Sequence, residues 1–183
     1  ATLTTDYYLG IAKESSITGN VLVTGSGSTL NVGDELEVAI AGTGVLTIAD
    51  GGTLNVTGLG DFKLGLDTDT SVATLNIGAP AGEMPVAPGT LNAAKVWSFN
   101  SSETTFVFNH TATEDDPLVF AVPIEVSTDV SSASLNIQSG YTVFSADSSA
   151  FASDVLIEGG TMALSNAFAF GGLNAVLALK RFA

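Results

Sequence analysis

Five segments of this chain repeat one phrase: STLNVG at 28–33, GTLNVTG at 52–58, ATLNIGA at 73–79, GTLNAA at 89–94 and ASLNIQ at 133–138. Their leucines sit at 30, 54, 75, 91 and 135, and Met162 takes the equivalent place in GTMALS. The first two intervals are 24 and 21 residues. A unit that short cannot bury its own apolar face, so like units must stack until each inward Leu or Val joins a continuous column. The interval is about that of one coil of a parallel β-helix, in which short strands lie on their copies one turn above and below.

Other short apolar runs fill the intervals, at 21–23, 36–40, 45–48, 62–66 and 105–109. Strand centres near the N-terminus are about eight residues apart, which predicts about three strands per coil. Apolar and polar residues alternate, as a wall with one buried face requires. The alternation sends Leu30 and Val32 inward and Thr29 and Asn31 outward. It likewise sets Leu36, Val38 and Ile40 against Glu35, Glu37 and Ala39, and Phe62, Leu64 and Leu66 against Lys63 and Gly65. Helical periodicity is nearly absent before residue 167. The expected fold is an all-β solenoid with no closed barrel.

One domain over 1–183 is expected, in three stretches. Residues 1–79 read as regular coils, 80–117 as coils with two loop excursions, and 118–183 as C-terminal coils and a cap. GAPAGEMPVAPG at 78–89 holds three of the five prolines, which block strand pairing and mark a loop leaving the stack. NHTATEDDP at 109–117 reads as the second excursion, and from 117 onward the strands are expected to lengthen. The apolar tail 166–183, ending in Lys180, Arg181, Phe182 and Ala183, reads as a last coil, a short helix or an edge in need of cover.

Nineteen acidic residues against five basic ones give a net charge of −14. That argues against nucleic acid and anionic membrane surfaces, which need clustered Lys and Arg. The absence of cysteine removes disulfides, thiol catalysis and thiolate metal sites, and suits a chain that stays loose during export. No apolar run of about 18 residues is present to span a bilayer as a helix. The first residues carry neither a basic nor an apolar leader region, so any signal peptide is removed or lies outside this sequence.

Catalytic readings are weak. Asp115 and Asp116 follow His110, the only histidine, by five and six residues, which offers the carboxylate pair of a polysaccharide hydrolase; a solvated loop is the competing reading. The only arginine, Arg181, lies at the chain's end, far from any lyase-like acidic groove. Ser26 in TGSGS lacks the G-x-S-x-G elbow and reads as a turn residue. Glycine-rich 51–61 does not meet the calcium-binding nonapeptide order, and the acids at 34, 35, 37, 67 and 69 read as solvated. No cofactor or metal is expected. The aromatics Trp97, Phe99, Phe106, Phe108 and Phe120 offer either an exposed stripe for carbohydrate or core stacking, the latter favoured because Phe106 and Phe108 share a strand face.

The outward asparagines Asn31, Asn55, Asn76, Asn92 and Asn136 would hydrogen-bond in a ladder if their coils stack in register. Asn31, Asn55, Asn76 and Asn92, together with the loop acids Glu114, Asp115 and Asp116, form the candidate binding surface. Three N-x-S/T triplets begin at Asn55, Asn100 and Asn109 and carry no assigned role.

Three segments carry a family resemblance: GTGVLTIADGGTLNV at 42–56, PGTLNAAKVWSFNSSETTFVFNHT at 88–111 and SGYTVFSADSSAFASDVLIEGGTMALS at 139–165. In this order they resemble the passenger region of a Gram-negative type V autotransporter, the last being similar to the autotransporter-associated β-strand repeat. Its loop ADSSAFASD lacks the usual Tyr-Thr-Gly-Gly, and Met162 replaces Leu. The resemblance implies a right-handed parallel β-helix, an outer-membrane β-barrel translocator elsewhere in the full-length chain, and delivery to the bacterial cell surface. It also implies an adhesin-like or self-associating role, and assigns no receptor; the expectation is a non-enzymatic segment with a host glycan, a matrix protein or another copy as partner. Residues 118–183 would suit the autochaperone-like place. A β-helical polysaccharide lyase or hydrolase and a passive stalk are the alternatives.

Overall fold

A computed structural model describes residues 1–165 and 176–180, apart from 59, 60, 68, 102, 131 and 152. Among these residues the chain is all β, with no helix. Five coils of three strands follow one another. The first holds β1 (Thr2–Thr5), β2 (Leu9–Ile11) and β3 (Thr18–Thr24); the second β4 (Thr29–Val32), β5 (Leu36–Val38) and β6 (Thr43–Ala49). The third holds β7 (Thr53–Val56), β8 (Phe62–Leu64) and β9 (Val72–Gly78); the fourth β10 (Thr90–Asn92), β11 (Val96–Ser98) and β12 (Glu103–Asn109). The fifth holds β13 (Leu118–Phe120), β14 (Ile124–Val126) and β15 (Ala133–Ser139). Beyond it run β16 (Tyr141–Phe144), β17 (Asp154–Ile157), β18 (Thr161–Ser165) and β19 (Val176–Lys180).

Strands stack on their counterparts and not on their sequence neighbours. The first wall is β1-β4-β7-β10, the second β2-β5-β8-β11-β14, and the third β3-β6-β9-β12-β15-β17. A fourth sheet, β13-β16-β18-β19, takes the first wall's place in the coil order after a break between β10 and β13. All pairings between named strands are parallel except β18 with β19, where Thr161 faces Lys180 and Ser165 faces Val176.

The core is a set of columns along the axis. Leu30, Leu54 and Leu91 stack on the first wall. Leu36, Phe62, Val96 and Ile124 stack on the second. The third wall carries Leu46, Leu75, Phe106 and Leu135 beside Ile48, Ile77, Phe108 and Ile137. Every one of these is buried, and full burial of such a side chain is worth roughly 1.5–3 kcal/mol. Phe108, Phe120 and Phe144 close into a triangle with centroids 5.0 to 5.7 Å apart, all edge to face.

Several expectations are corrected. The repeated phrase lies on more than one wall: Leu75 and Leu135 stack with Leu46 and Phe106, and Met162 faces Thr142 in the fourth sheet. Strands β5 and β8 end at Val38 and Leu64, because the next residues turn into the left-handed region, Ala39 at φ 61° and Gly65 at φ 72°. That turn flips the parity, so Ala39 and Gly65 are buried while Ile40 and Leu66 are only half-buried. Gly65 has no room for more, since a Cβ there would lie 2.1 Å from Ser101 Cβ. Strands after 117 do not lengthen, β13 and β14 having three residues each.

The proline-rich segment does leave the stack, yet it is not free of pairing. It lies along the corner after the third wall as a strap, with bridges Ala49 to Pro88 and Val86 to His110. Asp50 N–H donates to Ala87 O, Gly82 N–H to Gln138 Oε1, and Asn109 Nδ2 to both Pro80 O and Glu83 O. The second excursion begins at 111, since β12 runs to Asn109. Residues 166–175 and 181–183 of the tail, including Arg181, lie outside the described residues.

Candidate functional site

The first wall presents its outward residues as two columns. Register aligns Thr2, Thr29, Thr53 and Thr90 in one, and Thr4, Asn31, Asn55 and Asn92 in the other. The cause lies in the tripeptide: Leu at its centre is drawn into the core, so the residues on either side face out. Asn31 Nδ2 donates to Thr4 Oγ1 at 3.1 Å, Asn55 Nδ2 to Asn31 Oδ1 at 2.8 Å, and Asn92 Nδ2 to Asn55 Oδ1 at 2.8 Å. All eight residues are exposed or half-exposed. Each amide and hydroxyl keeps hydrogen-bonding capacity beyond the ladder, at the strand spacing of about 4.8 Å. Acidic turns flank the array, with Asp6 and Asp34 after β1 and β4 and Asp50 before β7, all exposed.

Asn76 and Asn136 stand elsewhere. Asn76 is on the third wall, 1% exposed, with Nδ2 donating to Thr47 Oγ1 at 2.9 Å and, among the described residues, no hydrogen bond to its Oδ1. Val107 lies between it and Asn136, so no ladder joins them. The array itself stops at β10. Past it opens a cavity of about 350 Å³ lined by Pro88, Thr90, Thr113, Asp116, Leu118 and Val119 among others. Glu114, Asp115 and Asp116 are all exposed in the loop beside it, and Thr113 N–H donates to Asp116 O.

His110 is not brought to those acids. It is fully buried, with Nε2 2.8 Å from Thr142 Oγ1 and Nδ1 accepting from Ala112 N–H at 3.2 Å. Burial pushes its pKa down to about 4, so it is neutral in the core. Among the described residues no group of three His, Asp or Glu side chains is placed to hold a metal ion. Asp67 accepts Asp69 N–H in a tight turn.

The second wall carries the charges. Glu37, Lys63, Trp97 and Glu125 share one outward column. Lys63 pairs with Glu35 and Glu37, and Lys95 with Glu125 at 3.0 Å. Burial alone would lower the Lys63 pKa, but Glu35, Glu37 and Asp61 outweigh it and the net shift is upward. Tyr8 donates its hydroxyl to Glu37 at 2.8 Å, and partial burial with that acidic partner raises its pKa. The aromatics divide: Phe106, Phe108 and Phe120 are core, whereas Trp97 and Phe99 are half-exposed, edge to face at 4.5 Å. Lys95 sits 4.3 Å from the Trp97 ring centroid. Sequence reasoning missed this ion and ring cluster, although alternation already marks Lys63, Lys95 and Trp97 as outward.

No protein-family profile matches the chain. No solved structure matches it. It is 34% identical over 161 residues to an uncharacterized lipoprotein, YdeK, of Escherichia coli (strain K12). The alignment takes in 88% of this chain and 12% of that protein, so the chain spans a small part of the curated relative it matches.

Proposed function

We propose that this chain is an adhesive, non-enzymatic segment of a longer cell-envelope protein, working by extended contact through the threonine and asparagine face of the first wall. The observation that carries the reading is the in-register array itself, repeated over four successive coils with both donors and acceptors facing out. Such a face is complementary to a second copy of itself, and equally to a hydroxyl-rich glycan or a matrix protein. The likeness to a lipoprotein supports a cell-envelope location. The resemblance to autotransporter passengers supports display at the outer surface, beyond a β-barrel translocator. A lyase or hydrolase is disfavoured by the exposed, dispersed setting of Asp115 and Asp116 and the buried one of His110.

Self-contact between two such faces works against the chain's −14 charge, so salt should promote it. Sedimentation at low and high ionic strength tests this. The expected result is association at high salt that Thr29→Lys with Thr53→Lys abolishes. A monomer under both conditions, with no retention on glycan or matrix-protein arrays, overturns the reading.

A further inference from the structure

Coils four and five pair on two walls and part on the third. Val96 lies opposite Ile124 on the second wall and Phe106 opposite Leu135 on the third, yet β10 ends the first sheet and β13 begins the fourth. The cause is a slip of parity. Ile124 follows Val96 by 28 residues, and the same step sets Val119 level with Leu91. Leu91 points into the core at 8% exposure, whereas Val119 points out at 55% and Phe120 takes the inward place. Strands one residue out of parity cannot join with both apolar sets inside, so the wall opens between them.

The two edges left by the break are internal to the stack and face each other. Thr90 N–H donates to Gly52 O, toward β7, so the alternation along a parallel strand turns the N–H and C=O of Leu91 to the opening. Ser145 N–H donates to Phe120 O, on the β16 side, which turns the backbone of Val119 to the opening from across it. Among the described residues no strand lies between the two. The cavity of about 350 Å³ sits in this break. Ala87, Pro88, Leu118 and Val119 give it apolar walls. Asp116 lines it, with Glu114 and Asp115 exposed alongside, and the lining holds no Lys or Arg.

We infer that the break is a docking site for an extended peptide segment of a partner protein, one that carries lysine or arginine around an aliphatic residue. The segment adds as a strand to β10, exchanging hydrogen bonds with Leu91, and rests its aliphatic side chain on Leu118 and Val119. Its cations meet Glu114, Asp115 and Asp116. A backbone edge selects an extended peptide over a glycan, because its N–H and C=O groups match those of another strand in kind and spacing. Three residues of edge make the contact weak and reversible. The site stands apart from the threonine and asparagine face, and its occupancy does not depend on that face binding anything.

The test titrates the 183-residue chain with a blocked hexapeptide of alternating lysine and valine, followed by amide chemical shifts. Shifts should concentrate at Leu91, Thr113 and Val119, and high salt should weaken binding about tenfold. The same peptide N-methylated throughout keeps its charge but loses its strand-pairing donors, and should bind at least about tenfold more weakly. Val119→Lys, at an exposed position, should leave the melting temperature unchanged and weaken binding about tenfold. Leu156→Lys, exposed on β17 in the third wall, should change neither. Absence of shifts at Leu91 and Val119 overturns the inference. So does equal binding of the methylated peptide, full affinity in Val119→Lys, or a neutral hexasaccharide that produces the same shifts.

Discussion

Asn55 stands directly over Asn31, 24 residues away in the chain, and hands it a hydrogen bond of 2.8 Å while its own Oδ1 takes one from Asn92. Asn55→Ala removes both links. The expected loss is about 1–2 kcal/mol, read as a shift in the urea midpoint with an unchanged slope. Asn136→Ala, on a different wall and outside the ladder, should cost less.

Gly65 and Gly27 share a left-handed backbone, at φ 72° and 78°, but not their surroundings. A Cβ on Gly65 meets Ser101, whereas one on Gly27 meets nothing within 4 Å. Gly65→Ala should therefore destabilise by about 3 kcal/mol or more, and Gly27→Ala by only about 1 kcal/mol, in paired thermal melts.

Phe108 contacts Phe120 and Phe144, both from later coils, and is 1% exposed. Phe108→Ala opens a cavity that rigid stacked coils cannot close. A loss of roughly 3–5 kcal/mol is expected in equilibrium unfolding.

His110 makes the fold less stable toward acid pH. Its folded pKa is about 4, below the ordinary 6.5, so the unfolded chain takes up the proton first. Its contribution is intact above pH 6.5 and is lost as pH falls toward 4, amounting to roughly 3 kcal/mol at most. His110→Gln should flatten the fall in stability over that window relative to the parent. Parallel pH profiles for the two proteins would count against this account.

The strap depends on Asn109, whose amide donates to Pro80 O and Glu83 O. Asn109→Asp replaces the donor with an acceptor facing two carbonyls. Cleavage beside Met84, 86% exposed, should speed up about tenfold in limited proteolysis.

Period-two alternation was enough to name most inward residues, because burial on a sheet face depends only on parity. It failed at Ala39 and Ile40, where one residue at positive φ reverses parity without any mark in the apolar pattern. Wall assignment was less legible, since an inward leucine suits any wall. Asn31, Asn55 and Asn92 share a ladder even though the strap stretches the second interval to 37 residues. Asn76, in a nearly identical phrase, lies beside Thr47 on another wall. The aromatics divided for the same reason: Phe106 and Phe108 fall on the inward parity of β12, and Trp97 on the outward parity of β11.

A stack whose layers touch only their immediate neighbours can fray one layer at a time, each loss leaving the remainder undisturbed. The segment from 80 to 89 changes that statistics. Leaving the third layer, it clasps Asp50 in the second, Asn109 in the fourth and Gln138 in the fifth. Peeling from either end therefore halts at a clip that must release several layers together, which turns gradual unravelling into a single cooperative event.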